Sequence, residues 1–214
     1  MKVKWLGHAA FLVTAGDGTR VVLDPYGEFG GLKHKPIDEH ADIVVISHEH
    51  GDHCGGKIRG NPQTIKGAGE RKVKGIEFKG IETYHDTSGG KERGPNTVFK
   101  FNVDGLNVCH MGDLGHMLSD SQLEAIGEVD VLMVPVGGFY TIDAATASKL
   151  AGSLKPRITI PMHYSSEKCE FPIACIDDFL ENKTGVRKAG SSEIEIFPGK
   201  LPETSEIIVL EPAN

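Results

Sequence analysis

The sequence predicts a layered α/β fold with two β-sheets in the middle, and three observations support this prediction. Short runs rich in β-branched residues, separated by turn residues, dominate the first half of the chain. In the second half, helix candidates alternate with strands of the buried type, such as DVLMVP and RITIPM. The chain closes on two further strand candidates, IEIF and EIIVL. Strands followed by alternating helices and strands are typical of sheets packed in layers.

The elements of this fold can be predicted in chain order. The strand candidates of the first half are VKW, AFLV, RVVLD, DIVVIS, QTIKG, VKGIEF, IETY, NTVFKF and LNVCH. The helix candidates are SDSQLEAIG, IDAATASKLAGSLK and ACIDDFLENKTG. Thr141 or Asp143 is a natural N-cap of the second helix. Gly185 is predicted to end the third helix as a left-handed cap.

Length and charge limit the class of protein. A chain of 214 residues most simply forms one domain, or two half-domains that share one core. The net charge of −7 argues against a general affinity for nucleic acid or for anionic membranes, because both require a basic surface. We therefore expect a small-molecule partner, with no nucleic acid and no membrane, and we leave self-association into a homo-oligomer open.

The chain shows no pattern of export or membrane insertion. The start, MKVKWLGHAAFLV, has the pattern of a strand rather than of a signal peptide, because a glycine and a histidine interrupt its apolar run. A membrane-spanning helix needs about 20 consecutive apolar residues, and no apolar run in this sequence approaches that length. We therefore expect a cytoplasmic protein. The cysteines form no CxxC pair and are expected to be reduced thiols; they are Cys54, Cys109, Cys169 and Cys175.

Polar residues that can bind metals follow several of the predicted strands. Four of them come directly after DIVVIS, in the segment SHEHGDHCGG; they are His48, His50, Asp52 and His53. Three more follow other strands: His85 after IETY, Asp113 after LNVCH and His163 after ITIPM. Open α/β sheets commonly place ligands at the carboxyl edge of their strands. The sequence therefore predicts that these side chains converge at one edge.

Such a cluster needs cations. Five imidazoles and two carboxylates are too many polar groups to bury unpaired, because each unsatisfied group costs kilocalories. Nitrogen and oxygen ligands suit zinc, iron or manganese, and the lack of a thiolate leaves the choice open. Seven ligands exceed what one cation takes in a tetrahedral or five-coordinate catalytic site. Two cations that share one carboxylate fit the number better.

These residues resemble a known family. HEHGDH, at 48–53, matches the HxHxDH motif of the metallo-β-lactamase superfamily, and the later histidines and aspartate fall in the family's order. WLGHA, LDPY, HMGDLGH, PVGGFYTIDA and IPMHY are similar to the UlaG-like branch of metal-dependent hydrolases, which includes L-ascorbate-6-phosphate lactonase. The resemblance implies a four-layer αββα sandwich: one domain over 1–214, built from two αβ halves that share one core.

The resemblance also implies a ligand set and a reaction. It assigns His48, His50 and His85 to one cation, Asp52, His53 and His163 to a second, and Asp113 to both. The implied cofactors are two divalent ions, zinc or manganese, with iron as an alternative. A hydroxide that bridges them would cleave a small ester, lactone or phosphoester, and Asp52 would orient it. In true β-lactamases of this fold a cysteine stands where Asp113 stands here, which argues against that activity.

Two other functions remain open. One is a nuclease that cleaves RNA or another phosphodiester, and the other is a metal-binding regulatory protein without turnover. A nuclease should show salt-sensitive RNA binding. The complete ligand set favours catalysis over a regulatory role.

Several further residues have two interpretations. We predict that His116 acts in catalysis together with Asp52; His116 and His110 flank Asp113 and would bond a ligand carboxylate or the substrate, or merely pack nearby. His8 either lines the site or is an ordinary half-buried histidine. Asp24 either bonds a metal-binding histidine or forms a turn.

Two loops are predicted to shape the substrate pocket. In DTSGGKERGP, Lys91 and Arg93 would meet an anionic substrate, unless this segment is a mobile, solvated turn. In PVGGFYTIDA, Gly137, Phe139 and Tyr140 are expected to line the cleft.

Overall fold

The computed structural model describes residues 1–213 and contains two mixed β-sheets. The strands are β1 (Lys2–Gly7), β2 (Ala10–Thr14), β3 (Arg20–Leu23), β4 (Ile43–Ile46), β5 (Gln63–Lys66), β6 (Gly69–Val73), β7 (Ile76–Tyr84), β8 (Pro95–Val103), β9 (Leu106–His110), β10 (Val131–Pro135), β11 (Ile158–Met162), β12 (Val186–Lys188), β13 (Glu193–Glu195) and β14 (Glu206–Val209). The helices are α1 (Gly51–Cys54), α2 (Asp120–Ile126), α3 (Ala144–Leu154) and α4 (Ile176–Leu180), with a 3-10 turn at Pro198–Lys200.

Each sheet combines antiparallel and parallel pairing. The first has six strands in the order β13-β1-β2-β3-β4-β5, and β3, β4 and β5 are parallel. The second has eight strands in the order β12-β14-β11-β10-β9-β8-β7-β6. Its β6–β9 half is an antiparallel meander, and its β9–β10–β11 half is parallel. The predicted order, strands first and alternating helices and strands later, is therefore present in the second sheet.

The main core contains apolar side chains from both sheets. Phe11 and Val13 of β2 belong to it, whereas their neighbours Ala10 and Leu12 belong to a smaller cluster on the other face. Successive side chains of a strand point to opposite faces, which explains this division. The smaller cluster is completed by residues of the 26–41 segment, including Tyr26. Helix α3 adds its buried side chains to the main core.

The three predicted helices are present as α2, α3 and α4, with one wrong boundary, and the short helix α1 was not predicted. Asp143 is the N-cap of α3, and its side chain accepts a hydrogen bond from the backbone N–H of Thr146 (2.8 Å). Helix α4 ends at Leu180 and not at Gly185. Asn182 already adopts a left-handed conformation (φ +57°), which asparagine tolerates, so the chain leaves the helix earlier. Gly185 instead precedes β12, a strand that the sequence did not indicate.

The segment VKGIEF is a hairpin and not one strand. Val73 pairs with Ile76, and the two residues between them, Lys74 and Gly75, have positive φ angles of +51° and +81°. Two consecutive positive φ angles are the signature of a type I′ turn, which joins antiparallel strands tightly. The second half of VKGIEF continues into IETY as the single strand β7.

Membrane insertion by a helix finds no support in the part of the chain that the structure describes. None of the helices within residues 1–213 is long and apolar enough to cross a membrane. The cytoplasmic location stays a prediction.

Two glycine substitutions should have opposite effects on stability. A Cβ at Gly152, inside α3, would meet nothing within 4 Å, and alanine favours a helix interior over glycine by about 1 kcal/mol. A Cβ at Gly137 would overlap the carbonyl oxygen of His163. We expect Gly152→Ala to raise the free energy of unfolding and Gly137→Ala to lower it, as measured by denaturant titration. Equal effects would contradict this packing.

Candidate metal centre

The residues of the site come from strand ends in both sheets and from helix α1. Within each sheet, the strands that carry them run in one direction and end at one edge. In the first sheet His8, Asp24 and His48 follow β1, β3 and β4; in the second sheet His85, Asp113 and His163 follow β7, β9 and β11. Helix α1 and its N-cap supply His50, Asp52 and His53. The site therefore spans the junction of the two sheets.

The carboxylate of Asp113 lies at the centre. Its Oδ2 atom is 3.1 Å from Nε2 of His85 and 3.2 Å from Nε2 of both His53 and His163. Nε2 of His48 lies slightly farther away, at 3.9 Å. All five side chains are buried. Four imidazoles thus converge on one carboxylate oxygen.

Around this centre the candidate ligand atoms form three groups, of which the third, Asp24, His48 and His53, shares its two histidines with the other two groups. The first group is His48, His50 and His85, and the second is His8, Asp52, His53 and His163. Within each group the ligand atoms lie within 4.8 Å of one another. Ligands at about 2.0–2.2 Å from one cation are separated by such distances. The structure therefore brings together both sets that the resemblance implied, and it adds His8 to the second; their binding of metal stays a prediction.

Unpartnered buried atoms indicate what the site is suited to hold. Among the described residues, buried atoms without a hydrogen-bond partner include Nε2 of His48, Nε2 of His53 and Oδ1 of Asp113. An unsatisfied buried polar atom costs about 1–3 kcal/mol, and such atoms are rare in native proteins. Divalent cations would satisfy all three atoms. The donor set of nitrogen and oxygen fits zinc, manganese or iron.

Asp24 fixes two of these histidines. Its buried carboxylate accepts hydrogen bonds from the backbone N–H (2.7 Å) and the hydroxyl (2.6 Å) of Ser47. It also bonds Nδ1 of His53 (3.1 Å) and Nε2 of His110 (2.9 Å). Because the Ser47 hydroxyl donates to Asp24, it accepts from Nδ1 of His48 (2.9 Å). Both His48 and His53 then carry a hydrogen on Nδ1, and the Nε2 atom of each is the one that lies toward Asp113.

The same hydrogen-bond network explains the roles of Asp24 and His110: His110 bonds Asp24, and Asp24 bonds His53. The two histidines that Asp24 contacts keep it ionised: burial would raise the pKa of Asp24, but His110 and His53 lower that pKa below its usual value. Carboxylates that bond metal-binding histidines set the ring orientation and raise ligand basicity. Asp24 therefore has the orienting role, and its positive φ of +42° shows that the backbone also turns there.

Two of the protonation states at the centre suit cation binding directly. Burial opposes the charge of Asp113, but His163 and His53 hold the pKa of Asp113 well below its usual value. Burial, aided by His53, lowers the pKa of His48 to about 3. Asp113 is therefore a carboxylate and His48 a neutral imidazole, which are the forms that bind metals. Burial would lower the pKa of His53 and of His85, but Asp113 raises both, so a cation must displace a proton from these rings.

His8 is the site residue that the sequence indicated least clearly. Its Nε2 is 3.3 Å from Oδ2 of Asp52, and its ring centroid is 4.2 Å from that of His163. Its carbonyl oxygen accepts hydrogen bonds from the His163 backbone N–H (3.2 Å) and from Nε1 of Trp5 (3.0 Å). The available signal was the position of His8 directly after a strand, as for the other ligands.

The geometry does not favour the predicted catalytic role of His116. Its Nε2 accepts the backbone N–H of Tyr84 (3.1 Å), and its Nδ1 donates to the carbonyl of Met117 (2.8 Å). Neither nitrogen is free to exchange a proton with a substrate while these bonds hold. The catalytic role of His116 stays a prediction. Of its two hydrogen bonds, the one with Tyr84 connects the segment after β9 to the end of β7.

The cysteines lie outside the ligand groups. The structure contains them as free thiols, as expected. Cys109 is buried in the main core, and burial raises its pKa to about 12. A thiol with such a pKa stays protonated, and Asp113 rather than Cys109 lies at the centre of the cluster.

The loop after His85 is wound around a buried carboxylate. Oδ1 of Asp86 accepts the backbone N–H groups of Ser88 and Gly90, and Oδ2 accepts those of Glu92 and Arg93. Burial would raise the pKa of Asp86, but these donors lower it to about 2. The 86–94 segment is therefore an ordered loop at the rim of the site rather than a solvated turn.

Comparisons with known proteins agree with this geometry. Residues 2–163 match the model of the family described as β-lactamase superfamily domain. The chain belongs to this superfamily. The chain is also 30% identical, over 100% of its length and 98% of the relative, to a UPF0173 metal-dependent hydrolase of Thermococcus onnurineus, which places it in that family. A UPF0173 metal-dependent hydrolase of Pyrococcus abyssi is 31% identical over 78% of this chain and 85% of its own.

A solved structure extends the likeness to the whole fold. A metallo-β-lactamase superfamily protein of Thermotoga maritima, whose name describes a zinc-dependent hydrolase, is 37% identical and superposes with a TM-score of 0.82. The match covers 98% of this chain and 97% of that protein. The predicted αββα sandwich is therefore confirmed, and the chain is similar to proteins named as metal-dependent hydrolases.

Substitution of Asp24 should weaken metal binding without removing a ligand. In Asp24→Asn the amide keeps the shape but loses the charge that orients His53 and, through Ser47, His48. Loss of such a partner typically costs about 10–100-fold in metal affinity. We expect this loss in a titration against a chelator of known affinity. Asp143→Asn is the control, because asparagine caps helices as well as aspartate does; equal affinities of the two variants would contradict the role of Asp24.

Proposed function

We propose that this protein is a dinuclear metal-dependent hydrolase that cleaves a small ester, lactone or phosphoester. The observation that carries the proposal is the position of Asp113 between two groups of ligand atoms. Its Oδ2 lies 3.1 Å from His85 of the first group and 3.2 Å from His53 and His163 of the second. A carboxylate in contact with two ligand groups is suited to join two cations.

The side chains of this site divide the work of hydrolysis. When bound, two cations would acidify a water molecule and polarise the scissile carbonyl or phosphoryl group. Asp113 would contact both ligand groups and so fix the position of one group relative to the other. Asp52 is the carboxylate nearer to solvent, with 11% of its side chain exposed against 2% for Asp113. It would accept a hydrogen bond from the attacking water and orient it.

Several properties of the substrate and cofactor remain part of the proposal. The nitrogen and oxygen ligands support zinc or manganese, with iron as an alternative. Zinc is named for the Thermotoga maritima relative. The resemblance to the UlaG-like branch makes a lactone one class to test. The net charge of −7 supports a small-molecule partner rather than nucleic acid or a membrane surface.

The number of bound cations tests the two-group site. We expect metal-free protein to take up two zinc or manganese ions per chain, as measured by elemental analysis after removal of excess metal. In His50→Ala the first group keeps only two imidazoles, so about one ion should remain. His50 is exposed, and its loss should leave the fold intact. His40→Ala, at another exposed histidine, should still bind two. One ion in the wild type would contradict the dinuclear site.

Turnover tests the hydrolase assignment itself. Metal-loaded wild type should hydrolyse at least one member of a panel of small esters, lactones and phosphodiesters. Asp52→Asn should lower kcat by about 100-fold or more, because an amide orients the attacking water poorly; effects of 10²–10⁴-fold are usual for acid–base groups. Loading of the variant is checked by its metal content. An inert, fully loaded wild type would contradict the proposal and favour a regulatory metal protein.

A further inference from the structure

We propose that an aromatic rim beside the two ligand groups, together with Arg93, binds a planar apolar group that bears a negative charge. The aromatic rim consists of Phe29, Phe139, Tyr140 and Phe171. The inference rests on the proposed function and names its substrate class: an ester, lactone or phosphoester whose non-reacting part is an aromatic acid.

The aromatic rim is continuous. The ring centroid of Phe171 lies 6.0 Å from that of Phe29 and 5.9 Å from that of Tyr140. The ring of Tyr140 in turn lies 4.7 Å from that of Phe139. These are the separations of edge-to-face aromatic pairs. The four rings come from the segments after β3, β10 and β11, so three separate loops build one surface.

The aromatic rim is in contact with residues of the two ligand groups. The ring of Phe171 meets the ring of His8 edge-to-face at 5.6 Å. Phe29 lies against the backbone between His50 and Asp52: a Cβ added at Gly51 would be 3.1 Å from Cδ2 of Phe29. A molecule whose reacting group lies at Asp52 therefore has aromatic faces directly beside it.

The exposure of the rim indicates that it is not packing for the core. Phe139 is 65% exposed and Phe29 is 41% exposed. Tyr140 and Phe171 are half-buried. Contiguous exposed apolar groups are uncommon on soluble proteins and mark binding sites. Aromatic side chains at the mouth of a pocket gain most when a flat apolar group covers them.

Arg93 supplies a charge of the opposite sign to an acid at the end of this rim. Its guanidinium lies over the ring of Tyr140, with Cζ 5.7 Å from the centroid. The ordered loop around Asp86 fixes its backbone through a hydrogen bond of 2.8 Å. Arg93 also lines a cavity of about 680 Å³ together with His48 and His50.

The guanidinium of Arg93 has N–H donors that no acceptor within residues 1–213 uses. Its one acidic neighbour in residues 1–213 is Glu92, at 3.9 Å, which is too far for a hydrogen bond. Only 31% of the Arg93 side chain is exposed. A planar fork with unused N–H groups matches the geometry of a carboxylate or phosphate. Lys91, which the sequence also suggested for this role, is exposed, and within residues 1–213 its side chain has no ring contact or ion pair comparable to those of Arg93.

Binding of matched carboxylates tests the inference without turnover. The probes are acetate, phenylacetate and 4-carboxyphenylacetate, titrated calorimetrically into metal-loaded protein and, in parallel, into metal-free protein. Each should place one carboxylate at the ligand groups, the second should add a ring, and the third should add a charge for Arg93. We expect phenylacetate to bind about tenfold more tightly than acetate, which corresponds to about 1.4 kcal/mol. The additional carboxylate should add about another tenfold.

Variants assign each gain to its side chain. Phe171→Ala and Phe29→Ala should lose the preference for the ring, whereas Phe197→Ala, at another exposed phenylalanine, should keep it. Arg93→Gln should lose the preference for the second carboxylate, whereas Arg187→Gln, at the opposite edge of the second sheet, should keep it. Circular dichroism checks that each variant is folded.

The outcomes separate this inference from the proposed function. Equal affinities for acetate and phenylacetate, or a preference that survives both phenylalanine substitutions, would overturn the aromatic rim as a binding surface. A preference for the second carboxylate that survives Arg93→Gln would overturn the role of Arg93. The proposed hydrolase would stand in either case if two metal ions and turnover were measured. Conversely, an inert protein with the expected preferences would retain the binding surface and lose the hydrolase.

Discussion

The convergence of four imidazoles on the carboxylate of Asp113 is the interaction on which the rest of the site depends. Oδ2 of Asp113 is within 3.2 Å of three Nε2 atoms, and the carboxylate is almost fully buried. Burying such a group is costly unless a positive charge compensates it. Two cations would supply that charge and satisfy the imidazole lone pairs at the same time. The unpartnered Nε2 atoms of His48 and His53 and Oδ1 of Asp113 are consistent with this requirement.

The two sheets are joined so that this convergence is possible. The backbone N–H of His163 donates to the carbonyl of His8, which links the second sheet to the first. Three site residues, His8, Asp24 and His163, have φ angles of +52°, +42° and +52°. Such conformations cost about 1–3 kcal/mol each for residues other than glycine and collect at functional sites. The strain is consistent with side chains that are directed to one point rather than packed for stability.

The sequence was sufficient for the layers and for the side chains that cluster at the sheet edge, and insufficient for the contacts around them. Short motifs after strands indicate His48 or His163, because the residue type and its position at a strand end are both local. His8 and Asp24 gain their roles from contacts across the chain: Asp24 meets His110, which lies 86 residues away. The early end of α4 depends on the conformation of Asn182, and the order of the loop that carries Arg93 depends on its hydrogen bonds to Asp86. Local patterns do not contain such contacts.

The central claim is that one carboxylate joins two cations, and anomalous diffraction from crystals grown with zinc or manganese tests it most directly. Data collected above and below the absorption edge of the metal locate each ion and identify its element. The account predicts two anomalous peaks per chain, one within the group of His48, His50 and His85 and one within the group of His8, Asp52, His53 and His163, with Asp113 in contact with both. A single peak, or peaks away from Asp113 in crystals saturated with metal, would contradict it.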